Sequence, residues 1–200
     1  MQNTAPASEM RLYSHDGERL YINSEERQRF LHAALRASPD IRRLCLTLLY
    51  TGCRVSEALE LKGRSLQQEA QLLTFRTLKR RRHNVFREVP IPTTLVNELS
   101  LAASTPDDLL WPNVHRSTAY RAVKSVMSAA QISGAKACPK GLRHGFGHYA
   151  VIVSLVPLNI VQKWMGHASM KTTTIYANAV GPEELALARR MWNKPPLPDL

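Results

Sequence analysis

The chain has no apolar run long enough to cross a bilayer: the best, residues 149–156, is short and meets Pro157. Its first residues lack the charged and apolar regions of a secretory signal, which leaves the cytoplasm as the expected compartment. There are three cysteines, Cys45, Cys53 and Cys138, widely spaced and without a CxxC pair. That spacing argues against a disulfide framework or a cysteine zinc site and suggests reduced, mostly buried thiols. His144 and His148 stand one helical turn apart, as metal ligands can, but no carboxylate or cysteine accompanies them, so no metal is expected. No internal repeat is present. Acidic residues are also scarce: 16 Asp and Glu face 27 Lys and Arg, a formal charge of +11 on 200 residues. Such an excess points to a polyanionic partner, nucleic acid or an acidic membrane, without choosing between them. The length suits one domain around one core.

Residues 1–20 are polar and aperiodic and read as a flexible N-terminal arm or a loosely docked tail. Asn23 followed by Glu26 has the form of a capping box and opens a helix with Phe30, Leu31, Ala34 and Leu35 on one face. After Pro39, residues 41–50 are apolar enough for a buried central helix, closed by the turn Thr51-Gly52. Arg54 comes right after that turn. A guanidinium at a helix start gains nothing from the helix itself, so an anionic partner explains it better. Glu57, three residues on, could hold it, and a surface salt bridge fits the same pattern.

Residues 72–78 and 85–89 read as the strands of a hairpin whose tip, KRRRH, is strongly basic. Arg80, Arg81 and Arg82 are candidate DNA contacts there, though solvation is the plainer account of such a tip. Helices are expected over 93–103 and 117–131, with Trp111 buried between them. Ser117 would cap the second, and Arg116, Arg121 and Lys124 give it a basic face suited to a DNA groove or backbone. A loop with Gly134, Pro139 and Gly141 leads into KGLRHGFGHYAVIV, whose first turn offers Lys140, Arg143 and His144. Residues 158–165 form a further helix ended by Gly166, and residues 183–192 an amphipathic one before the extended tail KPPLPDL. The sum is a mostly α fold with a small antiparallel β-sheet.

Arg54, Arg143, His167 and Tyr176 occur in that order within TGCRVSEALEL, GLRHGFGHYA and MGHASMKTTTIY. With the hairpin lysine Lys79 in RTLKRRRHNVFREVPIP, these segments resemble the catalytic domain of the tyrosine recombinases, the phage integrase family, over roughly residues 20–180. The resemblance implies a site-specific DNA recombinase. Tyr176 would be the nucleophile, forming a 3′-phosphotyrosyl bond and releasing a 5′-hydroxyl, which conserves bond energy so that neither ATP nor metal is needed. Arg54 and Arg143 would meet the charge gathered on the phosphate, and His167 would hydrogen-bond it. Lys79 would protonate the leaving 5′-oxygen, and His144 reads as structural.

Lys140 stands where the family usually has histidine. A lysine donates to phosphate but is a poor proton acceptor at neutral pH, so it is expected to act mainly as a phosphate contact. The implied organisation is a flexible arm over residues 1–20, a catalytic domain over 21–181, and a C-terminal helix and tail over 182–200, either exchanged between neighbours or packed on its own domain. The implied partner is double-stranded DNA, gripped by a homotetramer in the cytoplasm and nucleoid with no cofactor. The family usually carries a core-binding domain ahead of the catalytic one; here about 20 residues precede the first helix, and the sequence resembles the short fimbrial phase-variation invertases. A DNA-binding regulator or accessory protein with the same fold, and a topoisomerase IB-like nicking enzyme, share these motifs.

Overall fold

The computed structural model describes residues 11–76, 85–178 and 182–192. Helix α1, Ser24–Leu35, opens on the expected capping box: the Asn23 side chain accepts the Glu26 N–H while the Glu26 carboxylate accepts that of Asn23. Helix α2, Pro39–Thr51, starts on a proline, which costs nothing where the N–H would be unpaired anyway. Gly52 ends it with φ 59°, and a Cβ there would lie 2.3 Å from the Phe146 ring. The turn therefore needs glycine both for its left-handed backbone and for space.

Helix α3 spans Val55–Leu59. Strands β1 (Leu66–Gln67), β2 (Leu72–Arg76) and β3 (Phe86–Pro90) form an antiparallel sheet in the order β1-β2-β3. Helices α4 (Thr93–Ser100) and α5 (Arg116–Ala129) follow. Helix α6, Pro139–His148, continues into a π-helical turn over Tyr149–Val153. Then come α7 (Leu158–Met165), α8 (Lys171–Thr174) with a 3₁₀ turn over Ile175–Ala177, and α9 (Pro182–Trp192). The fold is thus mostly helical with a small antiparallel sheet, as its periodicities indicated.

Packing centres on α2, which touches α1, α4, α5 and α6. That enclosure is why Leu44, Cys45, Leu46, Leu48 and Leu49 are all buried, each large side chain contributing about 1.5–3 kcal/mol. Trp111 is buried as expected and donates its indole N–H to the Asp40 carbonyl. A second, smaller cluster gathers Leu12, Tyr21, Phe146, Val161, Met165 and Tyr176. Among the described residues no helix is long and apolar enough to cross a membrane.

Several boundaries differ from expectation. Of the two readings of the N-terminal segment, an arm or a docked tail, residues 11–20 follow the docked one. Tyr13 and Arg19 pair across an Asp16-Gly17 turn, Leu12 is buried, and Arg19 forms an ion pair with Glu26 at 2.6 Å. The Asp-Gly pair between apolar residues was a hairpin signal hidden by the surrounding polar residues. Helix α5 starts at Arg116, so Ser117 lies inside it and the N-cap is His115, which makes no side-chain cap bond. It ends at Ala129, because Gln131 takes φ 55°. Helix α4 stops at Ser100, short of 103. The hairpin tip with Lys79, Arg80, Arg81 and Arg82 lies outside the described residues.

Candidate active site

The turn at Gly52 delivers Arg54 to the N-terminus of α3, where Glu57 holds it twice. One carboxylate oxygen accepts the Arg54 backbone N–H at 2.9 Å and the other its guanidinium at 2.8 Å. Glu57 is buried, and it also accepts from Arg87 at 2.7 Å. Burial alone would raise the Glu57 pKa. The charges of Arg87 and Arg54 and the hydrogen bonds they donate outweigh it and hold the carboxyl below its ordinary value.

Arg87 escaped the sequence reading, although its signal was present. It stands opposite Phe75 in the β2–β3 register, on the inward side of a strand that alternates exposed and buried. A charge at an inward register position needs partners. It finds Glu57, the Trp164 carbonyl at 2.8 Å and the face of Phe75 at 4.9 Å. One side chain thereby ties β3 to α3 and α7.

Arg143 projects from α6 between two helix ends, donating to the Gly52 carbonyl at 2.6 Å and the Met165 carbonyl at 2.8 Å. Burial, then the charge of Arg54, draws its pKa down to about 10, and Tyr176 and Glu57 oppose that shift, so it remains a cation at neutral pH. His167 follows α7 and is buried, with Nδ1 2.9 Å from the Thr173 hydroxyl. Burial first, and then Arg143, Arg54 and His144, push its pKa down to about 3, so the ring is neutral.

Tyr176 sits in the 3₁₀ turn after α8 and is 0% exposed. Its hydroxyl lies 3.0 Å from His144 Nδ1, and its ring runs nearly parallel to that of His167 with centroids 6.2 Å apart. Burial raises the phenol pKa, an effect that Arg143 and Arg54 oppose. His144 therefore touches the tyrosine hydroxyl and does more than fill a core. Burial, then Lys140 and Arg143, lower its pKa to about 4, which keeps it neutral too. His148, one turn on, stacks instead on Tyr21 at 4.3 Å.

The ring of Tyr176 rests on Gly147, where a Cβ would stand 2.6 Å from Cε2 and Cζ. Gly147→Ala is expected to lower stability by about 1–3 kcal/mol, because the ring is walled in and cannot give way cheaply. Urea denaturation of the variant beside the wild type measures it, and an unchanged midpoint would contradict the close packing described.

Arg54, Arg143, His167 and Tyr176 are thus brought together from three separate stretches of chain. Lys140 is exposed in the first turn of α6, one turn before His144. Arg116, Arg121 and Lys124 lie on the exposed side of α5, with Tyr120 among them, opposite the buried stripe Ala119, Val123, Val126 and Met127. Two guanidinium groups beside a tyrosine and a neutral histidine can hold a tetrahedral oxyanion such as a phosphodiester.

The model for the phage integrase family matches residues 20–181. Tyrosine recombinase XerA of Pyrococcus furiosus is 34% identical over 146 residues, 67% of this chain and 49% of XerA. Tyrosine recombinase XerH of Campylobacter jejuni is 30% identical over 172 residues, 79% of this chain and 48% of XerH. The chain spans about half the length of these relatives. Among solved structures, the XerA recombinase superposes with a TM-score of 0.74 at 24% identity, covering 87% of this chain and 65% of that one. A pre-cleavage complex of XerH with its difH substrate gives 0.70 at 21% identity, covering 90% and 60%. At these identities the solved structures establish a shared fold.

Proposed function

Because the chain belongs to the phage integrase family, we propose that it is a site-specific DNA recombinase that cuts and rejoins strands through a covalent link to Tyr176. The observation that carries the reading is the convergence of Arg54, Arg143 and His167 on the buried Tyr176. The relatives with described activity are tyrosine recombinases, and XerH has been solved on DNA before and after cleavage.

Each residue type has a role in that chemistry. Arg54 and Arg143 meet the non-bridging oxygens of the scissile phosphate, whose negative charge grows as the tyrosine attacks. His167 donates a hydrogen bond to the same phosphate. Tyr176 gives up its phenol proton to solvent as its oxygen bonds to phosphorus, the 5′-oxygen leaves, and Lys79 gives that oxygen a proton. Because the phosphodiester bond energy is kept in the phosphotyrosyl link, rejoining needs no nucleotide. Tyr176 is fully enclosed in this state, so attack requires it to leave its pocket.

The exposed basic face of α5 with Arg116, Arg121 and Lys124, and the arginines Arg80, Arg81 and Arg82, would bind double-stranded DNA. The catalytic domain is taken to run from 21 to 181. Helix α9 exposes Leu185, Met191 and Trp192, an apolar set suited to exchange with a neighbouring copy in a tetramer on DNA. The cytoplasm, on the nucleoid, is the fitting place for such work.

Lys140→Ala is expected to slow cleavage, since it removes a phosphate contact, while Lys140→His retains measurable cleavage. A histidine variant with no cleavage at all would count against a site role for this position.

The test of the whole reading uses nicked duplexes with a randomised core. Wild-type protein should capture a subset of sequences as a denaturation-resistant adduct that peptide mapping places on Tyr176. No adduct from any library, or one attached elsewhere, overturns the assignment.

A further inference from the structure

The Thr173 hydroxyl and His167 are both buried, and Nδ1 of the ring, 2.9 Å away, is that hydroxyl's only hydrogen-bond partner among the described residues. The neutral ring has one N–H, so two arrangements compete. If Nδ1 carried the proton and donated to threonine, the threonine O–H would have no acceptor, and the bare Nε2 would also be unpaired. If threonine donates to Nδ1, the hydroxyl's lone pairs go unused and the Nε2–H is left over, without a partner among the described residues. Each arrangement leaves one donor and one acceptor unmade, at about 1–3 kcal/mol for a buried group, and only the second puts the unmade donor on Nε2, where an arriving phosphodiester oxygen can accept it.

We propose that Thr173 is a positioning residue that fixes His167 with its proton on Nε2, so that the ring can only donate to the scissile phosphate and cannot take the proton of Tyr176. Three observations converge on this. The Nε2 atom is a buried polar group without a partner among the described residues, beside Arg143 and Arg54, whose charges act on the ring. Those arginines are donors only, so neither can accept the ring proton, and a phosphodiester oxygen drawn to them can. Thr173 lies on α8, the short helix that leads into the 3₁₀ turn of Tyr176, so one hydroxyl links the orientation of the phosphate donor to the placement of the nucleophile. Histidines that bind metals depend on a partner behind the ring in the same way. The neighbouring Thr172 is only partly buried and Thr174 is exposed, its hydroxyl donating to the Lys171 carbonyl, so the role belongs to the middle threonine of the three.

The inference rests on the recombinase reading, and two measurements separate their failures. The first needs no cleavage: isotope-labelled histidine nitrogens in the wild-type protein are expected to show His167 Nδ1 unprotonated and Nε2 bearing hydrogen. A protonated Nδ1 overturns the proposal whatever the enzyme does, and this measurement decides the matter even if variants fail to fold. The second uses the captured suicide duplex in single-turnover cleavage. Thr173→Val, which keeps the shape and removes the donor, should cleave about 10–100-fold more slowly with unchanged DNA affinity, the usual loss when an orienting partner is removed. Thr173→Ser, which restores the donor, should return to within a few-fold of wild type. Valine cleaving like wild type, or serine failing as badly as valine, overturns the proposal. The expected tautomer without an adduct from any library removes the phosphate-donor role along with the recombinase reading.

Discussion

Tyr176→Phe is expected to leave no covalent adduct with DNA while the protein stays folded and still binds duplex. The substitution removes only the hydroxyl. Nothing else changes in the enclosed ring, which keeps its seat on Gly147 and its place beside His167. The lost bond to His144 leaves Nδ1 without a partner, and such a loss costs about 1–3 kcal/mol, too little to unfold a domain of this size. A denaturing gel after incubation with the captured suicide duplex reads the adduct, a gel shift reads binding, and a thermal melt reads the fold. An adduct that persists in the phenylalanine variant would place the nucleophile elsewhere.

The second large effect is on stability. Glu57→Gln should destabilise the protein by about 3–5 kcal/mol, the range for breaking a buried ion pair from one side. Glu57 is fully enclosed and serves as counter-charge to Arg87, whose side chain is 4% exposed, as well as to the partly exposed Arg54. Glutamine keeps the shape but takes away the carboxylate charge that faces Arg87. The pH dependence follows from the sign of the Glu57 shift. Its folded pKa lies below the ordinary value, so its contribution is present in full above the unfolded carboxylate pKa and is lost as pH falls through the lowered folded value. Urea denaturation across a pH series should therefore show the gap between wild type and variant widest near neutrality and closing in acid. A gap that stays constant in acid would mean that the carboxylate charge is not what holds Arg87.

How much of this could be read in the chain depends on the kind of signal each residue leaves. Arg54 was legible because a glycine turn fixes where the next helix begins, and the residue at that start is exposed to whatever fills the cleft. The helix with Arg143 was legible from its glycines and the run that follows. The state of Tyr176 was not: burial of a polar tip depends on which neighbours close over it, here His144, Gly147 and His167, from two other segments. Arg87 could have been found from strand alternation, since Phe75 and Val89 fix which positions face inward. Thr173 could not, because three adjacent threonines look alike until a short helix decides which of them points at His167. Residues 11–20 left arm and docked tail both open by composition: Leu12 and Tyr21 supply the docking, and the polar residues between them dominate any average.

Arg143 is bonded to two carbonyls, and their origin has an electrical consequence. Gly52 caps the C-terminal end of α2 and Met165 is the last residue of α7, so two helices aim their partially negative ends at one guanidinium. The backbone itself thus serves as a built-in counter-ion. The cationic pocket can fold and stand empty without a bound anion to neutralise it, and a phosphate that arrives completes a charge balance already begun by the main chain.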